Sequence, residues 1–96
     1  MKPSEALRQH RIEIHRIVSE NRSSNPRVFG SVLHGKDTET SDLDLLIDPA
    51  PDTSLMDLAR IQNRLQQLMG VSVDVLTPRS LPESYRSRVL AEASPV

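Results

Sequence analysis

Two short stretches of this chain hold residues whose types and spacing could do chemistry. The first is Gly30-Ser31-Val32-Leu33-His34-Gly35, and the second is Ser41-Asp42-Leu43-Asp44-Leu45-Leu46-Ile47. Two glycines and a serine let backbone approach a phosphate closely. Side chains alternate along a strand, so Asp42 and Asp44 project to one face while Leu43 and Leu45 project to the other. Two like charges on one face are costly without a cation. A divalent ion such as Mg²⁺, held by one or two carboxylates and by substrate phosphates, relieves that repulsion. The pattern points to nucleotidyl or phosphoryl transfer. A third acid, Asp74, stands alone in the alternating run Val71-Ser72-Val73-Asp74-Val75-Leu76, where a buried charge is unfavourable unless paired or metal-bound. If that strand lies beside the first with polar faces aligned, three carboxylates converge, and Asp74 becomes the candidate general base for an incoming hydroxyl. The plainer alternatives are an edge strand kept soluble by Asp42 and Asp44, a surface Asp74, and a Ser41 that braces its own loop.

The elements that must position these residues are legible in outline. Ser4 is a candidate N-cap for a helix running to about Glu20, with Leu7, His10, Ile14, Ile17 and Val18 on one stripe. Asn21 to Pro26 is a cluster of breakers, and Arg27-Val28-Phe29 is a short strand leading to Gly30. Residues 31–35 are expected to form a turn or one helical turn, and Lys36 to Thr40 a mobile polar loop beside the site. Leu43 to Ile47 follows as a strand buried on both faces. Ser54 caps the strongest helix, in which Leu55, Leu58, Ala59, Ile61, Leu65, Leu68 and Met69 trace an apolar face up to Gly70. Val71 to Leu76 is the third strand, and Pro82-Glu83 opens a last helix carrying Tyr85, Val89, Leu90 and Ala93. This order describes an α/β chain with a small mixed β-sheet and helices packed against it, read as one domain over residues 1–96.

Composition narrows the ligand classes. Ninety-six residues carry 12 basic and 13 acidic side chains, a formal net charge of -1, so nothing favours non-specific binding of nucleic acid. Phe29 and Tyr85 are the only aromatic residues, too few for a base-stacking platform. No cysteine is present, which excludes a disulfide framework and thiolate metal sites and accords with a reducing compartment. No apolar run reaches membrane-span length and no signal-type core follows Met1. A cytoplasmic protein is the expectation.

Gly30-Ser31, Gly35 and Ser41-Asp42-Leu43-Asp44-Leu45 resemble the Gly-Ser, spacer, Asp-x-Asp signature of the DNA polymerase β-type nucleotidyltransferase superfamily. The short chain is similar to its minimal members, the antitoxin halves of prokaryotic toxin and antitoxin pairs. That resemblance implies a palm-like nucleotidyltransferase fold. It also implies that Gly30, Ser31, Gly35 and Ser41 surround the nucleotide and that Asp42, Asp44 and Asp74 are the catalytic, Mg²⁺-binding acids. Minimal members further imply transfer of AMP from ATP to a tyrosine hydroxyl on a cognate HEPN-type ribonuclease toxin. The chain would then be an enzyme acting in a complex with that toxin. The alternative is an antitoxin that neutralises its partner by occlusion without catalysis. One departure stands out: the family often has Ala-Arg before the second glycine, where this chain has Leu33-His34. Arginine gives a permanent forked phosphate contact, whereas histidine is cationic only when protonated, and Lys36 is the nearby substitute.

Overall fold

The computed structural model describes all 96 residues. Four strands, β1 (Ser23–Phe29), β2 (Leu43–Pro49), β3 (Val73–Leu76) and β4 (Ser94–Pro95), form one mixed sheet in the spatial order β3-β2-β1-β4. β1 pairs antiparallel with both β2 and β4, and β2 pairs parallel with β3. The parallel pair needs a crossover, supplied by α4 (Leu55–Met69). The remaining helices are α1 (Pro3–Gln9), α2 (Arg11–Glu20), α3 (Gly30–Leu33) and α5 (Arg86–Glu92).

Strand alternation divides the core in two. Leu43, Leu45 and Ile47 join Val28 and Val73 beneath Ala6, Leu7, Ile14, Ile17, Val18, Ile61, Leu65 and Met69, residues of α1, α2 and α4. On the opposite face Leu46 packs with Phe29, Leu81 and Val89. Leu45, Leu46 and Ile47 are all fully buried, as expected for a strand covered on both sides. The second face is only partly covered, because the segment Leu81–Val89 shields one end of it and leaves the end bearing Asp44 open.

Several boundaries differ from the sequence expectation. The N-terminal helix is two helices, broken at His10 (φ -115°, ψ 23°), and its N-cap is Lys2 with Pro3 in the first turn. Ser4 instead donates its backbone N–H to Asp37 Oδ2 at 2.9 Å. This bond holds the Asp37 carboxyl below the usual carboxylate range and ties the expected mobile loop to α1. The bend lets α1 and α2 both contribute to one core. β1 starts earlier than Arg27: the Asn25-Pro26 breaker is absorbed by a register shift between Ser24 and Arg27, with Asn25 in the left-handed region at φ 53°. Residues 82–85 make a turn closed by Tyr85 N–H to Pro82 C=O, so α5 begins at Arg86. The short edge strand β4 was not expected at all.

α4 matches its signals. Ser54 Oγ accepts the Asp57 N–H while Asp57 Oδ2 accepts the Ser54 N–H, and Gly70 ends the helix. α4 also guards the free edge of β3: Gln66 Oε1 accepts the Val73 N–H and Gln62 Oε1 the Val75 N–H, each at 3.1 Å. No helix is long and apolar enough to cross a membrane. The capping geometry makes a prediction: Ser54→Ala should cost about 1 kcal/mol in urea-unfolding free energy.

Candidate active site

Sheet register assembles the acids. Asp44 and Asp74 are direct partners across the parallel β2–β3 pair, and Phe29 lies opposite Asp44 on β1. Residues paired in register share a face, so Phe29, Asp44 and Asp74 form one row across the open side of the sheet. The next row, Arg27, Leu46 and Leu76, leads into the apolar cluster under α5. Asp42 lies one residue before β2 and is exposed, with its charge close enough to act on Asp44. Asp48, also an acid of β2, is engaged elsewhere by Arg27 and by Asn25.

Asp44 carries the electrostatic signature of the site. Partial burial, then the charge of Asp74, then that of Asp42 push its carboxyl up from the ordinary 3.8 to about 6. Like charges held this way call for a cation. No three carboxylate or imidazole groups are close enough together to make a complete protein cage for a metal. The sheet therefore brings Asp44 and Asp74 into register and leaves Asp42 at the strand's entrance. Such a donor set suits an open site, in which carboxylates and substrate phosphates share a hard cation such as Mg²⁺.

The glycine turn abuts this row. Gly30 adopts φ +73°, and a Cβ placed there would stand 2.2 Å from Asp44 Oδ2, so both backbone conformation and space demand glycine. α3 is a single helical turn, after which Lys36 N–H bonds Ser31 C=O at 2.9 Å, closing the loop through Gly35 at φ +69°. Ser31 is half-buried beside Gly30. Ser41 Oγ accepts the Thr38 N–H at 2.8 Å, so its hydroxyl braces the loop that delivers Asp42.

Beside Gly30 opens a cleft of about 510 Å³ lined by Phe29, Gly30, His34, Tyr85, Arg88, Val89 and Glu92. His34 Nε2 contacts Glu92 Oε1 at 3.2 Å, linking the glycine turn to α5. Sequence reasoning missed Tyr85, Arg88 and Glu92 as neighbours of the turn. Their spacing of three and four residues along one helix face was the available signal, but nothing in the chain says which way that face looks.

The nucleotidyltransferase domain family matches residues 11–96. A protein of Methanocaldococcus jannaschii, provisionally named a protein adenylyltransferase, is 39% identical over 66 residues, 69% of this chain and 71% of that one. A solved structure described, also provisionally, as a minimal nucleotidyltransferase superposes with a TM-score of 0.86 at 39% identity, covering 97% of this chain and 95% of its own. A toxin–antitoxin structure with AMP-PNP shares the fold, with a TM-score of 0.71 at 16% identity over 97% of this chain and 71% of that one. A family match over that span, with relatives this similar along most of their own length, places the chain in the nucleotidyltransferase domain family.

Proposed function

We propose that this chain transfers AMP from ATP to a tyrosine hydroxyl of a cognate HEPN-type ribonuclease toxin and thereby acts as its antitoxin. The observation that carries this reading is the in-register pair Asp44 and Asp74, held against a glycine whose missing Cβ makes room for the Asp44 carboxylate. The adenylyltransferase name of the M. jannaschii relative and the toxin–antitoxin assembly that shares the fold support it. In this reading Asp42 and Asp44, with Asp74, would hold Mg²⁺. The ion supplies neutralisation of phosphate charge and Lewis-acid activation when bound. Asp74 accepts the proton of the incoming hydroxyl. The bond from that oxygen to the α-phosphorus forms as the bond to pyrophosphate breaks, the two in line. Gly30, Ser31 and Gly35 let the backbone approach the triphosphate, and Ser41 acts through the loop it braces.

One observation favours the occlusion reading. His34, at the position where the family often has arginine, is already engaged by Glu92. Incubation with Mg²⁺, ATP labelled at the α-phosphate and a HEPN-type ribonuclease of the same genome separates the two. Transfer predicts label on a partner tyrosine that disappears with Asp42→Ala and with Asp44→Ala, together with loss of neutralisation. Neutralisation that persists in both variants without label establishes occlusion instead.

The strained carboxyl yields a second prediction. A group whose pKa rises from 3.8 to about 6 on folding takes up a proton in that window, so stability falls as pH rises through it. Asp44→Asn should therefore abolish transfer yet stabilise the metal-free fold at pH 7. The gain should be on the order of 1 kcal/mol once solvent screening of a half-exposed group is discounted. Urea unfolding should show the gain shrinking towards zero below pH 4, where wild-type Asp44 is protonated in both states. A third substitution reads the glycine: Gly30→Ala should displace Asp44 and eliminate transfer while destabilising the fold by about 1–3 kcal/mol.

A further inference from the structure

The cleft beside Gly30 holds two basic side chains in unequal circumstances. His34 has a carboxylate partner, Glu92, at 3.2 Å. Arg88 has none within ion-pair distance. Glu92 lies four residues after Arg88 on α5, the spacing at which opposite charges on a helix commonly pair, yet its carboxylate reaches across to the glycine turn instead. The Arg88 guanidinium rests over the Tyr85 ring, 5.9 Å from its centroid. That placement holds the cation at the cleft's rim without neutralising it.

Reaction geometry says what this free cation faces. An acceptor hydroxyl that gives its proton to Asp74 arrives from the β3 side of Asp44. In-line displacement then sends the pyrophosphate out on the opposite side, towards Gly30 and the cleft. The wall formed by Phe29 and Gly30 adjoins Asp44 directly, since Phe29 is its register partner. We propose that Arg88 of α5, rather than a residue of the glycine turn, supplies the permanent forked cation that grips the β- and γ-phosphates of the nucleotide. Glu92 is a positioning residue in this arrangement: by holding His34 it leaves Arg88 uncommitted. The inference rests on the nucleotidyl-transfer reading and assigns the triphosphate's far end to a helical residue 58 positions beyond Gly30 in the chain.

The test compares two ligands by calorimetry on the full chain with Mg²⁺: α,β-methylene-ATP, whose scissile bridge cannot be cleaved, and AMP, which lacks the outer phosphates. Arg88→Ala should weaken the triphosphate analogue by about 10- to 100-fold, as for loss of a charged hydrogen-bonding partner, while AMP binding stays unchanged. Arg88→Lys, which keeps charge but loses the fork, should fall between. Arg88 is exposed, and circular dichroism confirms that each variant is folded. Equal losses for both ligands, or wild-type affinity in Arg88→Ala, overturn the assignment. If transfer to the partner is nevertheless abolished by Asp44→Ala, the functional reading survives that result. A wild-type chain that binds neither ligand overturns both.

Discussion

Repulsion between two carboxylates fixed side by side is the constraint on which the site depends. Asp44 and Asp74 are brought together by main-chain hydrogen bonds of a parallel strand pair, and the rest of the fold keeps that pair in register. Leu43, Leu45 and Ile47 anchor β2 from beneath, Val73 anchors β3, and α4 spans the two. A shift of one residue would send Asp44 into the apolar face and Leu43 or Leu45 into the open one. The apolar burial that stabilises the sheet thus also selects the single register in which the acids meet. The elevated carboxyl of Asp44 is the residual tension left by that selection.

The two faces of the sheet divide the labour. One is sealed by α1, α2 and α4 and contains no part of the acid row. The other is capped at one end by Leu81 and Val89, which pack on Leu46 and Phe29, and the uncapped end carries Asp44 and Asp74. α5 borders the opening and brings Tyr85, Arg88 and Glu92 to the glycine turn. Turn and helix are far apart in the chain, and the His34–Glu92 contact joins them.

Much of this was legible in the residues. α4 and β2 announce themselves through strong periodicity, a capping box and a terminal glycine, and the Gly-Ser and Asp-x-Asp spacings located the turn and the acids. The alignment of Asp74 with Asp44 required only that two strands with a common polar face be neighbours. What escaped the sequence depended on distant partners. The break at His10 follows from fitting α1 and α2 onto one core, and the absorbed Asn25-Pro26 follows from the pull of β2 on β1. β4 is two residues long and exists through its pairing with β1. The orientation of α5 towards the cleft is likewise set by contacts of Leu81 and Val89 with Leu46 and Phe29.

The glutamine contacts along β3 have a wider meaning. An outermost strand with vacant amides is a template for recruitment of other chains, and β3 is outermost in the sheet, carrying the acid of the row that stands furthest from the glycine turn. Gln62 and Gln66 occupy its outward N–H groups from within the same molecule. Two neutral, hydrophilic residues of an amphipathic helix, which a pattern reading would treat as mere solvent-facing filler, thereby complete the sheet's border. They insulate the strand that bears Asp74 from fibrillar growth, without a proline or a charged side chain set into the strand for that purpose.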